Sequence, residues 1–543
     1  MPPPEVRPSV RRTLRAIALG FGGFLIYFSG VFSPFANPNE LSRFQAVVAM
    51  GDHRTFAIDE PLRRLGSHED VSEAGGRFYS NKAPGLAMAA LPVYQGLRLF
   101  LPAPEFGTRD AIFYLLRLLT VSIVCLLALV RFGARIAQSA RDDRIAPLLT
   151  LALAFGTPYL FYARSFFGHA WSAALLLLSW DVLRASEAPM HRRRAAMFLA
   201  AAGVLAGWAT ISEYTVAPIA LFLALRATAG RSWRAIAPVA AGAALPAGLL
   251  LLYNAICFGS PWVLSSAREA NPQFAELAQR GIAGIGLPRP DVAWSYFFHP
   301  ARGLLLFSPF LLWSFAGAVR WWRSGRDRAD CIFVIASCGA FVLLMSGYPN
   351  WHGGWSLGSR YLVPAIFFLA LPAARALFTP ASRGLFLAAA VFSVAGHFLL
   401  TAAWTHFPLQ LPFPAASGSL WFLARGWVAP NILSAAGAPL GVALALPAAV
   451  LVALVVLALR EAPPALPRAG VAALAGVAPL VVLLLRPPEP DYMGRLWRAS
   501  VLGAFSGKDP ARVELRGVAA EASSPRERRL AIQMWRIYGP RGR

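Results

Sequence analysis

Lysine is rare in this chain: of 51 Lys plus Arg, only Lys82 and Lys508 are lysines. Lys82 stands in Tyr79-Ser80-Asn81-Lys82-Ala83-Pro84-Gly85, which closes a polar segment opened by Asn37-Pro38-Asn39-Glu40. A compact ammonium, kept where nearly every other cation is arginine, suits a phosphate. Gly75-Gly76-Arg77-Phe78-Tyr79 reads as a turn into an extended strip, and Pro84 disfavours helix at Ala83, so Lys82 falls on stiff, kinked backbone. The bland alternative is a lysine snorkelling to lipid headgroups. Glu40, with Asn37, Asn39 and Arg43 nearby, can take a proton from a hydroxyl if partial burial raises its pKa. Equally, it can be a helix-start carboxylate held by the helix dipole.

Other candidates lie in short polar turns. Arg164 and His169 bracket Tyr162-Ala163-Arg164-Ser165-Phe166-Phe167-Gly168-His169, too tight a turn for them to face anything but one cavity or the headgroups. Histidine transfers protons or binds metals, although a lone interfacial one is more often just hydrogen-bonded. Glu213, beside Tyr214 at another turn, reads the same two ways. The segment from Tyr348 to Tyr361 is too polar and glycine-rich to span. Its Trp351 and Trp355, with Asn350 and His352, resemble a sugar-stacking surface, against an interfacial aromatic belt as the alternative. Arg360 and Arg302 are candidate phosphate clamps. Glu69, Asp70 and Glu73 show no ligand spacing, so they leave a divalent cation open without assigning one. His397 and Asp181 lie within apolar runs and read as non-catalytic. Cys125, Cys257, Cys331 and Cys338 have no zinc spacing and read as packing residues.

Membrane helices must position these residues. The 543-residue chain is 57% hydrophobic and only 14% charged, against about 25% charged in a soluble domain, and its mean hydropathy is +0.52. It is a polytopic membrane protein. The net charge of +24 does not point to nucleic acid, because the arginines fall in short clusters between apolar runs, as topology signals do. Those clusters, near 7–15, 131–144, 184–194, 226–234, 320–328, 375–383 and 460–468, read as cytoplasmic. Between them about thirteen spans are expected, near 16–34, 111–130, 145–163, 166–183, 195–211, 215–226, 235–257, 303–319, 331–347, 361–378, 385–405, 435–459 and 469–485. The first is read as retained, since no small-residue cleavage site follows it. Residues 83–101, apolar but interrupted by Pro84, Pro92, Gln95 and Arg98, are expected along the outer interface, with another span as the alternative. The outer segments are then 35–110, 258–302, which reads as a lid, and 348–360. Residues 1–485 form the transmembrane domain, and 486–543 a polar tail placed in the periplasm.

These motifs together resemble the GT-C superfamily of membrane glycosyltransferases, in particular the bacterial protein O-mannosyltransferase-like and aminoarabinose-transferase-like members. Their first outer loop carries a Pro-Asp-Glu motif, a Lys-Pro motif, an interfacial helix and an Arg near the start of helix two. Pro38-Asn39-Glu40, Lys82-Ala83-Pro84 and Arg109 or Arg117 stand in similar places here. Arg164 and His169 resemble the Arg and Asp flanking the family's next outer turn, and Ser359-Arg360-Tyr361-Leu362-Val363-Pro364 its motif before a late helix. The resemblance covers roughly residues 15–365. Two positions depart from it: the usual catalytic acid falls on Asn39, and the acid of the next turn on His169. Either Glu40 has taken the base role or the chemistry is altered or lost.

The resemblance implies an all-α GT-C fold and a donor such as an undecaprenyl phosphate-linked sugar entering from the bilayer. An inverting transfer to a protein, lipid or glycan acceptor follows, at the periplasmic face of a bacterial inner membrane. It implies catalytic roles for Glu40, Asn39 and His169, and donor-phosphate contacts from Lys82, Arg302, Arg360 and Arg164. Tyr79, Asn81, Trp351, His352 and Trp355 would shape the sugar or acceptor pocket. The alternatives are a lipid-linked sugar translocase and a non-catalytic envelope subunit. Transporters tend to break helices at the midplane, whereas this chain puts its unusual residues in outer loops.

Overall fold

Only a helix or a closed barrel satisfies every backbone group within lipid, and long apolar runs without strand alternation choose the helix. The computed structural model describes residues 6–29, 37–105, 109–139, 142–282, 284–376, 380–403, 406–429, 431–461, 490–506, 521–522, 524–525 and 527–528. Helices α1 (Pro8–Ser29), α2 (Pro38–Asp52) and α3 (Asp59–Leu65) precede a hairpin of β1 (Val71–Ala74) and β2 (Arg77–Ser80). Then come α4 (Gly85–Arg98), α5 (Arg109–Arg117) and α6 (Ile123–Ser139), with a π-helical turn, Leu118–Ser122, joining the last two. Among the described residues six helical stretches are long and apolar enough to cross a membrane: Asp110–Ser139, Arg192–Ser212, Trp233–Phe258, Arg328–Ser346, Ser382–Ala403 and Gly441–Glu461.

Three expected spans are broken, and proline accounts for the breaks, since it removes a hydrogen bond and clashes with the preceding turn. The run 145–163 is α7 (Ile145–Phe155), a break at Gly156 to Pro158, and α8 (Tyr159–Tyr162). After α9 (Gly168–Ala185), α10 (Arg192–Ser212), α11 (Ala217–Arg226) and α12 (Ile236–Phe258), the outer loop holds two short helices, α13 (Pro272–Ala278) and α14 (Pro290–Phe298). The run 303–319 is α15 (Leu304–Phe307), a 3-10 turn from Pro309 to Leu312, and α16 (Trp313–Ser324). Beyond α17 (Arg328–Ser346), the run 361–378 alternates 3-10 turns holding Pro364 and Pro372 with α18 (Ile366–Ala370). The expected span 469–485 and most of the tail lie outside the described residues.

The basic clusters meet at one end of the bundle. Arg7 pairs with Asp142 (2.8 Å) and Asp143, and Ser9 Oγ donates to Glu461 at 2.9 Å. Arg131 and Arg135 pair with Asp181, and Arg184 with Asp330 at 2.8 Å. Arg226 reaches Glu187 and Asp330, each at 2.7 Å, and Arg375 reaches Asp327 at 3.1 Å. As far as the described residues reach, the basic stretches thus share one face. The polar turns gather at the opposite end, where α4 is tied to α2 by Asp52, which accepts from Tyr94 Oη at 2.8 Å and Arg98 Nε at 3.0 Å. Between the ends lies an aromatic core, with Phe155 meeting Phe24 and Phe21 edge-on at 5.0 and 5.6 Å.

Candidate active site

The hairpin sets the first part of the site. Gly75 (φ +57°) and Gly76 (φ +72°) are both left-handed, the two-residue turn whose twist matches paired strands. Val71 pairs with Ser80, so Asp70 and Asn81 stand opposite each other just past the last pair, with Lys82 beside them. Lys82 Nζ lies 3.1 Å from Asp70 Oδ2. Asn81 Nδ2 donates to both carboxylate oxygens of Glu269, at 3.0 and 2.9 Å, and sits 3.5 Å from Asp70 Oδ1. Burial pushes Asp70 upward, but Lys82 outweighs it and holds the carboxyl below its ordinary range. Glu269 is different: burial prevails over Asn81 and Lys82 and pushes its carboxyl up to about 7. The outer loop therefore reaches the hairpin through Glu269, and also through Ser265, which accepts from Ser72 at 2.7 Å and donates to the Asn81 carbonyl at 3.1 Å.

The start of α2 supplies the second part. Asn37 caps the helix by accepting from Asn39 N–H at 2.9 Å, with Pro38 in the first turn, a combination suited to helix starts. Asn39 and Arg43, one turn apart, meet: the guanidinium donates to the Asn39 carbonyl at 3.2 Å and to its side-chain oxygen. Glu40 faces inward instead. Its Oε1 accepts from Phe166 N–H at 2.6 Å and from Arg117 at 3.4 Å. It staples α2 to the turn before α9 and to α5, so this oxygen is already engaged by two donors.

The third part comes from α9 and the end of α10. His169 Nδ1 lies 3.0 Å from Glu213 Oε2, and Thr215 Oγ1 donates to Glu213 Oε1 at 3.2 Å. The imidazole packs over Phe167 (5.9 Å) and edge-on to Tyr361 (5.4 Å). Gly168 permits this approach: a Cβ there would sit 2.7 Å from the Ser212 carbonyl oxygen and 3.4 Å from Arg43 Nη2. Arg43 therefore stands beside the His169–Glu213 pair while also lining a small cleft with Ser80, Lys82, Pro84 and Tyr253. That cleft has a volume of about 10 Å³, room for one water, so anything larger enters only if the loops part. Burial lowers the Arg43 guanidinium to about 10, with Glu213 and Asp70 opposing the fall and Arg360 adding to it. Arg360 donates to Tyr361 Oη at 2.8 Å, its Nε has no partner, and among the described residues it has no carboxylate partner.

The remaining candidates do other work. Arg302 is fully buried and donates to the carbonyls of His352 (3.3 Å), Gly354 (2.9 Å) and Phe407 (2.6 Å). It clasps two outer loops and turns no donor toward the cleft. Arg164 donates to the Phe28 carbonyl and lies over the Phe28 and Phe161 rings, which closes the end of α1. His352 Nδ1 accepts from Gly354 N–H at 3.0 Å, and burial drives its pKa to about 4. Trp351 packs against Tyr296 and His299, and Trp355 against Trp497, so the two indoles form no common stacking face. Tyr79 packs against Phe258 in a small apolar cluster. The Arg109 side chain lies outside the described residues. Among the described residues no group of three His, Cys, Asp or Glu side chains is arranged to hold a metal.

No protein-family model matches the chain, and no curated protein matches it. It is similar to a crystal structure of ArnT from Cupriavidus metallidurans bound to undecaprenyl phosphate, with 15% identity over 91% of this chain and 79% of that one, at a TM-score of 0.41.

The site thus joins Asn39, Lys82, Asn81, His169 and Arg360, and adds Arg43, Asp70, Glu213 and Glu269. Arg43 has a signal in the sequence, since its spacing from Asn39 puts both on one helix face. Glu269 has none: it is a single acid in a long polar loop.

Proposed function

We propose that the protein is a GT-C-type membrane glycosyltransferase that moves a sugar from a polyprenyl phosphate donor to a hydroxyl acceptor. The basic end of the bundle is cytoplasmic, and the reaction takes place at the opposite, periplasmic face. The observation that carries this reading is that Arg43 and Lys82 line one small cleft, with Arg360 near enough to lower the Arg43 guanidinium further, while Asp70 pairs with Lys82 and the His169-bound Glu213 stands beside Arg43. A cluster of partly buried cations with fewer anions favours an anion, and a phosphate leaving group develops its charge during transfer, when fixed cations lower the barrier most.

In the proposed step an acceptor oxygen attacks the anomeric carbon while the bond from that carbon to the phosphate oxygen breaks. The electron pair leaves with the phosphate toward Lys82 and Arg43. The acceptor proton goes to the His169 imidazole, which Glu213 orients and whose positive form it stabilises. His169 suits this role better than Glu40, because Phe166 N–H and Arg117 already engage Glu40. Asn39 orients Arg43, and Asn81 holds Glu269 of the outer loop against the hairpin beside Lys82.

Purified full-length protein in lipid nanodiscs, given a panel of radiolabelled polyprenyl phosphate sugars, tests the reading. Sugar transfer or release that is lost in Lys82→Ala is expected. Donor binding that survives with no turnover across the panel would replace the enzyme with a lipid-linked sugar carrier.

A further inference from the structure

Two hydrogen-bond relays run from α2 into the base of the hairpin, and both hold the backbone of Asp70, the residue that pairs with Lys82. In the first, Ser42 Oγ lies 2.7 Å from the Asp70 carbonyl oxygen and 2.7 Å from Ser80 Oγ. A carbonyl only accepts, so the single Ser42 proton goes to Asp70. Ser80 must then donate to Ser42, and its own lone pairs are left for the Lys82 N–H at 3.3 Å. The order from Lys82 N–H through Ser80 and Ser42 to the Asp70 carbonyl is thus fixed, and both serines are buried. In the second relay the Asp70 N–H donates to His68 Nδ1 at 3.2 Å, so the His68 proton sits on Nε2 and goes to Gln45 Oε1 at 2.8 Å. Gln45 Nε2 donates in turn to the Gly66 carbonyl at 2.7 Å.

Ser42 and Gln45, three positions apart, share one face of α2, and Arg43 follows Ser42 directly in the chain. One helix therefore places both cations of the cleft: Arg43 by its own backbone, and Lys82 through Ser80 and Asp70. Ser80 lines that cleft together with Arg43 and Lys82, yet its proton is committed to Ser42, so it is neither a nucleophile nor a donor to a ligand. A lysine ammonium on a four-carbon stem swings freely unless its backbone and its partner are both fixed, and a small misplacement of a charge at a reacting centre is costly. We propose that Ser42 and Ser80 are positioning residues that hold the Lys82–Asp70 pair at a set spacing from Arg43. The identity of the anion that meets these cations rests on the glycosyl-transfer reading; the spacing does not.

Competitive amine labelling of the full-length protein in lipid nanodiscs, with no substrate present, tests the proposal. The chain has only two lysines, so mass spectrometry reads Lys82 directly against Lys508. The Lys82 side chain is 18% exposed beside Asp70, and freeing it should raise its labelling rate several-fold in Ser42→Ala and in Ser80→Ala. The hydroxyls act in series, so the double variant should label no faster than the faster single one; additive rates would make the serines independent and overturn the relay. Polyprenyl phosphate should bind either single variant about tenfold more weakly. Ser179→Ala removes an equally buried hydroxyl, which donates to the Ala202 carbonyl at 2.8 Å within the bundle, and should leave labelling and binding unchanged. Native labelling rates in Ser42→Ala and Ser80→Ala would overturn the proposal whatever happens to the melting temperature, and so would an equal rise in Ser179→Ala. Faster labelling with no polyprenyl phosphate binding to any of the proteins would uphold the positioning role and refute the glycosyl-transfer reading. If Ser42→Ala does not fold, Ser80→Ala, which leaves the bond from Ser42 to Asp70 in place, decides the matter.

Discussion

Replacing Glu269 by Gln should remove a pH dependence from the stability of the outer loop. Burial moves this carboxyl from its ordinary 4.5 to about 7, against the opposing pull of Asn81 and Lys82. The folded protein then holds the proton more tightly than the unfolded chain does. Its contribution to stability is full below pH 4.5 and is lost as the pH rises through 7. At 1.36 kcal/mol per pKa unit the displacement is worth about 3 kcal/mol, and partial contact with water brings it nearer 2 kcal/mol. Gln is neutral throughout, and its amide oxygen still accepts from Asn81 Nδ2. The variant should match the native protein near pH 4.5 and exceed it by about 2–3 kcal/mol at pH 8. With an unfolding entropy of about 2.1 cal/mol/K per residue, that is roughly 2–3 °C if the chain unfolds as one unit. Tryptophan-fluorescence melts in nanodiscs between pH 4.5 and 8 read this directly. His68, also displaced from its ordinary value, is common to both proteins and drops out of the difference, whereas Asp70, whose charge helps raise Glu269, loses a repelling neighbour in the variant and moves the difference in the same direction. Parallel melting curves across the whole range would show that Glu269 is solvated and the reasoning mistaken.

Asp70→Asn leaves the Lys82 ammonium without its partner, and about 3 kcal/mol of stability should go with it. Millimolar phosphate should restore part of the lost melting temperature if Lys82 faces an anion site. Glu213→Gln should lower turnover about a hundredfold with donor binding kept, whereas equal loss of both would make Glu213 merely structural. Gly168→Ala places a methyl carbon 2.7 Å from the Ser212 carbonyl oxygen, a cost of about 1–3 kcal/mol visible as a lower melting temperature. Arg302→Lys cannot span three carbonyls on two loops, so protease cleavage within residues 347–359 should accelerate several-fold at unchanged total protein.

The sequence alone determined what depends on local composition. Apolar runs gave helices, arginine clusters gave a common end of the bundle, and the glycine pair at 75–76 gave the turn that delivers Lys82. Each follows from a property of adjacent residues: hydrophobic length, charge in short connections, and the cost of a left-handed backbone. Breaks in the later spans were also written there, in Pro158, Pro309, Pro364 and Pro372, but only packing revealed which prolines interrupt a helix and which merely bend it. Pro246, for instance, lies inside an unbroken α12. Partnership needed the tertiary structure. Glu40 and Arg302 have the residue types of a base and a phosphate clamp, yet three-dimensional neighbours engage both, Phe166 N–H and Arg117 for one and backbone carbonyls for the other. Glu269 became a candidate because a loop crossing brings it beside Asn81, across a separation no local pattern encodes, and Arg43, whose spacing from Asn39 is local, meets the His169–Glu213 pair only through the crossing of α2 with α9. A side chain's type fixes what it can do, and the groups that fold against it decide whether it is still available to do so.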